Sequence, residues 1–245
     1  MRPELKNLAY RASDVLGNTL LMPPRGSRRY FVYHGPRDTK RVALTFDDGP
    51  CRGSTEVLLD ALRDLDVRAT FFCVGVNSRL NPDLVRRIDA EGHDVGNHSH
   101  AHRRFGGLSL RDTEHITLGE NEIVDAVGKT PTLYRPPWGW LTPWEGRRLS
   151  RLGYTSIGWD VYTIDWKLPE PDAEQVAESA YRDTRPGSIF AFHDAFPLRA
   201  EWEKSVTTQA VRMLVPRLQR DGYRFVTISD LLHIPAYRDA RPSRP

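Results

Sequence analysis

The sequence predicts an α/β fold built on parallel strands. Three observations carry this. Short apolar runs alternate with helix-like segments along most of the chain, the pattern of repeated strand–helix–strand units. Successive runs end in polar clusters, where α/β folds gather function. The 245 residues suit one large domain with a proper core, and α/β barrels reach this size as a single unit.

Residues 1–40 read as a basic, loop-rich lead with a helix around Leu5 to Leu16 and a strand at Tyr30 to Tyr33. Arg41 to Phe46 is a strand, apolar through Val42, Ala43 and Leu44 and ended by Asp47-Asp48-Gly49-Pro50. In Thr55 to Leu65, residues Val57, Leu58, Ala61, Leu62 and Leu65 fall on one helical stripe. Ala69 to Val74 is the next strand. Asn81-Pro82 opens a helix, with Asn as N-cap and Pro at the first helical position. Leu84, Val85 and Ile88 form its buried face, Gly92 ends it, and His93 to Asn97 makes a short third strand. Helices follow over Ser109 to Val127 and from Thr142-Pro143 to Leu152. Further strands are Leu133-Tyr134, Thr155 to Trp159 and Ser188 to Phe192. A helix over Lys204 to Gln219 carries Pro216, which should kink or shorten it. Arg224 to Ile228 is the last strand. The main domain is thus drawn over residues 41–232, with a loose tail over 233–245.

Composition excludes several classes. Hydrophobic residues at 39% and charged residues at 27% describe a globular chain. The net charge of +3 is mild, and Arg pairs such as Arg86-Arg87 and Arg147-Arg148 are scattered, so nucleic acid is not an expected partner. No run approaches the roughly 18 apolar residues of a membrane span. The best N-terminal apolar stretch, Thr19-Leu20-Leu21-Met22, stops at Pro23-Pro24, too short for a secretory signal. Cys51 and Cys73 are read as free thiols in a reducing compartment. The expected location is the cytoplasm.

Chemistry concentrates at the strand ends. Asp-Asp-Gly-Pro is a good turn sequence, but a turn can also aim both carboxylates into a cleft, one to bind a cation and one to act as a base. His98, His100 and His102 put three imidazoles in five residues, which favours a metal. On a helix His98 and His102 share a face; on a strand all three do. Two imidazoles and one carboxylate leave positions open, as a catalytic metal site does.

The chain resembles the polysaccharide deacetylase (NodB homology) family, also called carbohydrate esterase family four, from about Arg41 to Leu232. Five motifs occur in order: Thr45-Phe46-Asp47-Asp48-Gly49-Pro50, His98-Ser99-x-x-His102, Arg135-Pro136-Pro137-Trp138-Gly139, Asp165-Trp166 and Ala191-Phe192-His193-Asp194. The resemblance implies a distorted (β/α) barrel. It implies Asp47 as general base, Asp48, His98 and His102 as metal ligands, and His100 outside the ligand set. It also implies Arg135 as orienter of the base, Asp165 as the partner of His193, and His193 as general acid. Trp166 would wall the acetyl pocket. Pro137 and Trp138 belong to the substrate side, where Trp138, Trp140 and Trp144 supply indoles that stack on sugar rings.

Two positions depart from the family. Tyr162 stands where many members have Asp. Ala191 stands where the family places a Leu against the acetyl methyl, which enlarges the pocket unless Phe190 or Phe192 fills it. The function implied is metal-dependent hydrolysis of the N-acetyl amide of an amino sugar. Zinc suits the ligand set, with cobalt and nickel as alternatives. The competing readings are a deformylase or amidase on a lipid-linked sugar or small molecule, and an inactive sugar-binding module.

Overall fold

The structure, a computed structural model, describes residues 30–103, 110–139, 141–167, 171–198 and 205–239. The helix expected over Leu5 to Leu16, and residues Ser109, Trp140 and Lys204, lie outside them.

The strands are β1 (Phe31–Val32), β2 (Arg41–Asp47), β3 (Thr70–Cys73), β4 (Asp94–Asn97), β5 (Thr130–Pro131), β6 (Leu133–Tyr134), β7 (Thr155–Ile157), β8 (Val161–Tyr162), β9 (Ile189–His193), β10 (Arg224–Phe225) and β11 (Tyr237–Arg238). The helices are α1 (Thr55–Asp64), α2 (Gly75–Leu80), α3 (Pro82–Ala90), α4 (Leu110–Val127), α5 (Pro143–Arg151), α6 (Ala173–Asp183), α7 (Ser205–Arg220) and α8 (Ile228–Leu232). The main sheet runs β1-β7-β6-β4-β3-β2-β9-β8, with β10 beside β2, and its pairings are parallel.

Strand alternation divides the interior. In β2, Val42, Leu44 and Phe46 join the large cluster with Leu58 of α1 and Val211 and Leu214 of α7. Ala43 faces the opposite side with Ile189, Phe72 and Ile157, and Thr45 and Asp47 follow it in register. The sheet is curled. Arg135 follows β6, yet its guanidinium bonds Thr45 and Asp47 of β2, with β4 and β3 between, and the carbonyls of Ile157 and Gly158 at the end of β7. One side chain reaches all four only because the sheet folds around it into a half-barrel.

Several elements differ from expectation. Pro216 lies inside α7, which runs on to Arg220. Burial of Leu214, Val215 and Leu218 outweighs the one hydrogen bond that Pro cannot donate. The last expected strand stops at Phe225, because the Thr227 side chain accepts from the Asp230 backbone and caps α8. The tail is bound as far as Arg238: β11 pairs with β5, and the Val95 amide donates to the Tyr237 hydroxyl at 3.0 Å. Asn81 stands at the N-cap of α3, but its amide donates to the Pro50 carbonyl instead of capping. Helix α6 was not foreseen, although Asp172 caps it and Ala173, Val176, Ala177 and Ala180 form its buried stripe. Cys51 and Cys73 are buried and are not joined in a disulfide. No helix among the described residues is long and apolar enough to cross a membrane.

One buried group predicts a pH effect. The Ala69 amide donates to His93 Nδ1 at 3.0 Å. Burial lowers the ring from 6.5 to about 4. The unfolded chain takes up this proton first, so stability is full above about pH 6.5 and declines as the pH falls towards 4. The linked loss is about 3 kcal/mol. Melting temperature should fall across that window, and His93→Gln, which does not titrate, should flatten the slope. An unchanged slope would remove His93 as the cause.

Candidate active site

The residues singled out in the sequence come from five strand ends, and most meet at one edge of the sheet. Asp47, at the end of β2, faces the barrel interior, and Asp48 follows with φ of 78°. This left-handed residue breaks the strand alternation, so both carboxylates enter the same cleft. Non-glycine residues adopt that backbone at a cost, and such outliers cluster at functional sites. The turn is clamped from three sides. Asn77 donates to the Asp48 carbonyl at 2.8 Å, the Gly49 amide donates to Asp194 Oδ1 at 3.2 Å, and Thr55 donates to the other oxygen of Asp194. A Cβ on Gly49 would collide with that carboxylate, so the turn requires glycine.

His98 to His102 form neither a helix nor a strand. They lie in a loop after β4, with positive φ at Ser99 and His102. Asn97 Oδ1 accepts the Ser99 amide at 2.8 Å. His98 Nδ1 lies 2.7 Å from the Arg135 carbonyl. A carbonyl only accepts, so Nδ1 carries the proton and Nε2 keeps its lone pair, the arrangement of a metal-ligating imidazole. Asp48 Oδ1 is 3.5 Å from His98 Nε2 and 3.2 Å from His102 Nε2. One ligand atom from each of the three residues lies within 4.8 Å of the others. Asp48 Oδ1 is buried yet accepts no hydrogen bond, an acceptor that a cation would satisfy. Burial alone would raise the Asp48 carboxyl, but His102, His98 and His193 around it outweigh burial and hold it at about 2. Burial lowers His102 to about 4. Both groups are therefore in ligand form at neutral pH, and the set fits a divalent metal with open positions. His100 does not join them. It turns toward Gly75 and faces the His115 ring at a centroid distance of 6.3 Å.

Beside the triad, Arg135 Nη1 donates to Asp47 Oδ1 at 2.8 Å and to Thr45 Oγ1 at 2.5 Å. The guanidinium is 0% exposed and packs 4.2 Å from the Phe72 ring centroid. Burial lowers its pKa, partly offset by Asp47. A fixed cation thus holds the Asp47 carboxylate in one orientation.

On the neighbouring strand, in register with Asp47, His193 Nδ1 donates to Asp165 Oδ1 at 3.1 Å, and the His193 amide donates to Oδ2 at 2.8 Å. Thr163 and Thr207 donate to the same carboxylate, each at 2.7 Å. Four donors on a buried Asp165 fix the ring with Nδ1 turned to the carboxylate.

The expected substrate residues are split. Trp138 is 45% exposed and sits over His102 at 5.5 Å. Pro137 is buried at the start of the 3₁₀ turn that carries it. Trp166 is half-buried, its indole donating to the Thr163 carbonyl at 3.1 Å. Trp144 is exposed on the first turn of α5, and Trp140 lies outside the described residues. Phe190 and Phe192 belong to the cluster behind the sheet, so neither lies on the inner side with Ala191.

The sequence reading missed Thr45, Asn77, Asn97, Thr163, Asp194 and Thr207 as supports. Asp194 and Thr45 lay inside quoted motifs. Thr207 is reached only through the packing of α7, and no local spacing signals it.

Residues 34–157 match the polysaccharide deacetylase family. A peptidoglycan-N-acetylglucosamine deacetylase of Bacillus cereus is 32% identical over 203 residues, 83% of this chain and 93% of that protein. The crystal structure of the Bc1960 peptidoglycan N-acetylglucosamine deacetylase superposes with a TM-score of 0.80 at 30% identity, covering 85% of this chain and 95% of that one. A carbohydrate esterase family four pseudoenzyme from Bacillus anthracis superposes with a TM-score of 0.72 at 27% identity, covering 82% and 68%; this fold therefore also occurs in a protein described as lacking activity. With the curled parallel sheet and the five motifs in place, this chain belongs to the polysaccharide deacetylase family.

Proposed function

We propose that this protein is a metal-dependent hydrolase that removes the N-acetyl group from an amino sugar in a glycan, with the labour divided among the residues at the sheet edge. The observation that carries this is the convergence of three units: the open Asp48/His98/His102 triad, the Asp47–Arg135 pair and the His193–Asp165 pair. Asp48, His98 and His102 would hold the metal; zinc suits two imidazoles and one carboxylate, with cobalt and nickel as alternatives. When bound, the metal supplies Lewis-acid polarisation. Asp47 takes the proton of the attacking water, and Arg135 fixes the carboxylate for that transfer. His193 gives its Nε2 proton to the departing amine. Asp165 keeps Nδ1–H engaged and stabilises the charged ring. Trp166 and Pro137 shape the acyl side, and Trp138 offers an indole face to the sugar.

Cytoplasmic residence is part of the same reading, supported by Cys51 and Cys73 not being joined in a disulfide; recovery of the native protein from outside the cell would overturn it. The central experiment supplies the metal-loaded protein with N-acetylglucosamine oligomers, peptidoglycan fragments and a lipid-linked amino sugar. Acetate should appear in step with free amine. Release of formate instead would establish a deformylase, and no turnover on any of them would leave a binding module.

A further inference from the structure

The loop that carries His98 and His102 is held at its first turn by one buried amide. Asn97 ends β4 and is 0% exposed. Its Oδ1 accepts the Ser99 amide at 2.8 Å, and Ser99 is left-handed with φ of 66°. That turn carries the chain from His98 round to His102, so that both rings meet the same oxygen of Asp48. The Asn97 side-chain nitrogen donates to the Ile116 carbonyl of α4 at 2.9 Å and to the Tyr154 hydroxyl at 3.2 Å. The oxygen thus serves the metal loop and the nitrogen serves the scaffold. Helix α4 also presses on this turn at Gly119, where a Cβ would lie 2.7 Å from Asn97 Oδ1.

The direction of these bonds is set further out. The Tyr154 hydroxyl donates to Glu120 Oε2. Arg238 Nη2 donates to the same oxygen at 3.0 Å. Burial and the neighbouring Glu120 raise the Tyr154 pKa, so the hydroxyl keeps its proton. That one proton is engaged by Glu120, and the hydroxyl is left to accept from Asn97. From Ser99 outward each group therefore donates to the next, as far as Glu120, which Arg238 meets from the other side. Arg238 lies in β11 and donates as well to the Leu152 carbonyl. A Cβ on Gly153 would collide with its guanidinium. The relay ties the C-terminal strand to the metal loop.

We propose that Asn97 is a positioning residue for the metal: its amide, oriented by Tyr154, Glu120 and Arg238, sets the left-handed turn at Ser99 that brings His98 and His102 to one ion. None of these four residues belongs to the ligand set. The inference rests on the metal site of the proposed function.

Zinc and cobalt affinities of the full chain are measured by competition titration, with melting temperature alongside. The proteins are the wild type, Asn97→Leu, Tyr154→Phe, the double variant and Leu218→Ala. Leu218 lies in the core beneath α7, beside the turn to β10, which pairs with the first residues of β2. It controls for lost stability away from the site. Asn97→Leu should weaken both metals about 10- to 100-fold, as loss of groups that orient ligands does. At saturating cobalt its visible absorption, which reports ligand geometry, should differ from wild type. Tyr154→Phe should weaken both metals about fivefold, the size of one neutral hydrogen bond. In the double variant that fivefold loss should vanish, because the hydroxyl acts through Asn97. Leu218→Ala should melt earlier and bind metal like the wild type. Wild-type affinity in Tyr154→Phe would overturn the relay, and does so by itself if Asn97→Leu does not fold. Additive losses in the double variant, or an equal loss in Leu218→Ala, would also overturn it. A wild type that binds neither metal would bring down the proposed function as well. Firm wild-type binding with an indifferent Asn97→Leu would overturn the positioning role alone.

Discussion

His98→Ala is expected to lose both bound metal and detectable turnover. Asp48, His98 and His102 are the only three-residue metal-capable group of this kind among the described residues, so two ligands would remain for an ion that needs at least three protein donors to keep open positions. Loss of an outer hydrogen-bond partner of a ligand typically costs 10–100-fold in metal affinity, and loss of the ligand itself should exceed about 100-fold. Metal analysis of the purified variant, followed by titration with zinc and cobalt, measures this directly. His100→Ala is the control. Its ring faces His115 and not Asp48, so metal content should match wild type. Full metal in His98→Ala would remove the triad as the site. Metal loss in His100→Ala would bring the third imidazole into it.

Asp47→Asn should keep its metal and lose most turnover, because the triad is intact while the acceptor for the water proton is gone. General acid–base groups contribute about 10²–10⁴-fold, and a loss in kcat/KM of that order is expected. His193→Ala should lose a similar factor, also with metal retained. The two variants should then part. A substrate whose amine leaves more easily needs less proton donation, so it should partly rescue His193→Ala. It should not rescue Asp47→Asn, where water activation is missing. The wild-type profile of kcat/KM against pH should be bell-shaped, as expected when one group takes a proton and another gives one. A reversed rescue pattern would exchange the two roles. Metal loss in Asp47→Asn would make Asp47 a ligand and leave the base to be found elsewhere.

The site was legible where chemistry is written in residue type and order. Asp47-Asp48, His98 and His102, Arg135, Asp165 and His193 stand out because each polar group ends an apolar run. Their supports were not legible. Thr207 and Asn77 are ordinary polar residues in helical segments, and only packing brings them to Asp165 and to the Asp48 carbonyl. Asn97 was quoted as part of a strand, yet it bonds the Ser99 amide, the Ile116 carbonyl and the Tyr154 hydroxyl. Helix α6 is a different kind of miss, since its Asp172 cap and alanine stripe are local signals that could have been read.

By itself the sequence determined the parallel α/β architecture, the continuous apolar run of β2 and the inventory of reactive groups. These depend on periodicity and residue chemistry, which are local. The tertiary structure alone decided three further things. It placed Asp47 and Asp48 in one cleft through a left-handed Asp48 held by Asn77 and the Asp194 contacts. It separated His98 and His102 from His100 in a loop that is neither helix nor strand. It let α7 continue through Pro216. In each case a local cost, in backbone strain or a missing hydrogen bond, is outweighed by burial and bonds to residues far away in the chain. Those contributions do not exist until the sheet has curled around Arg135.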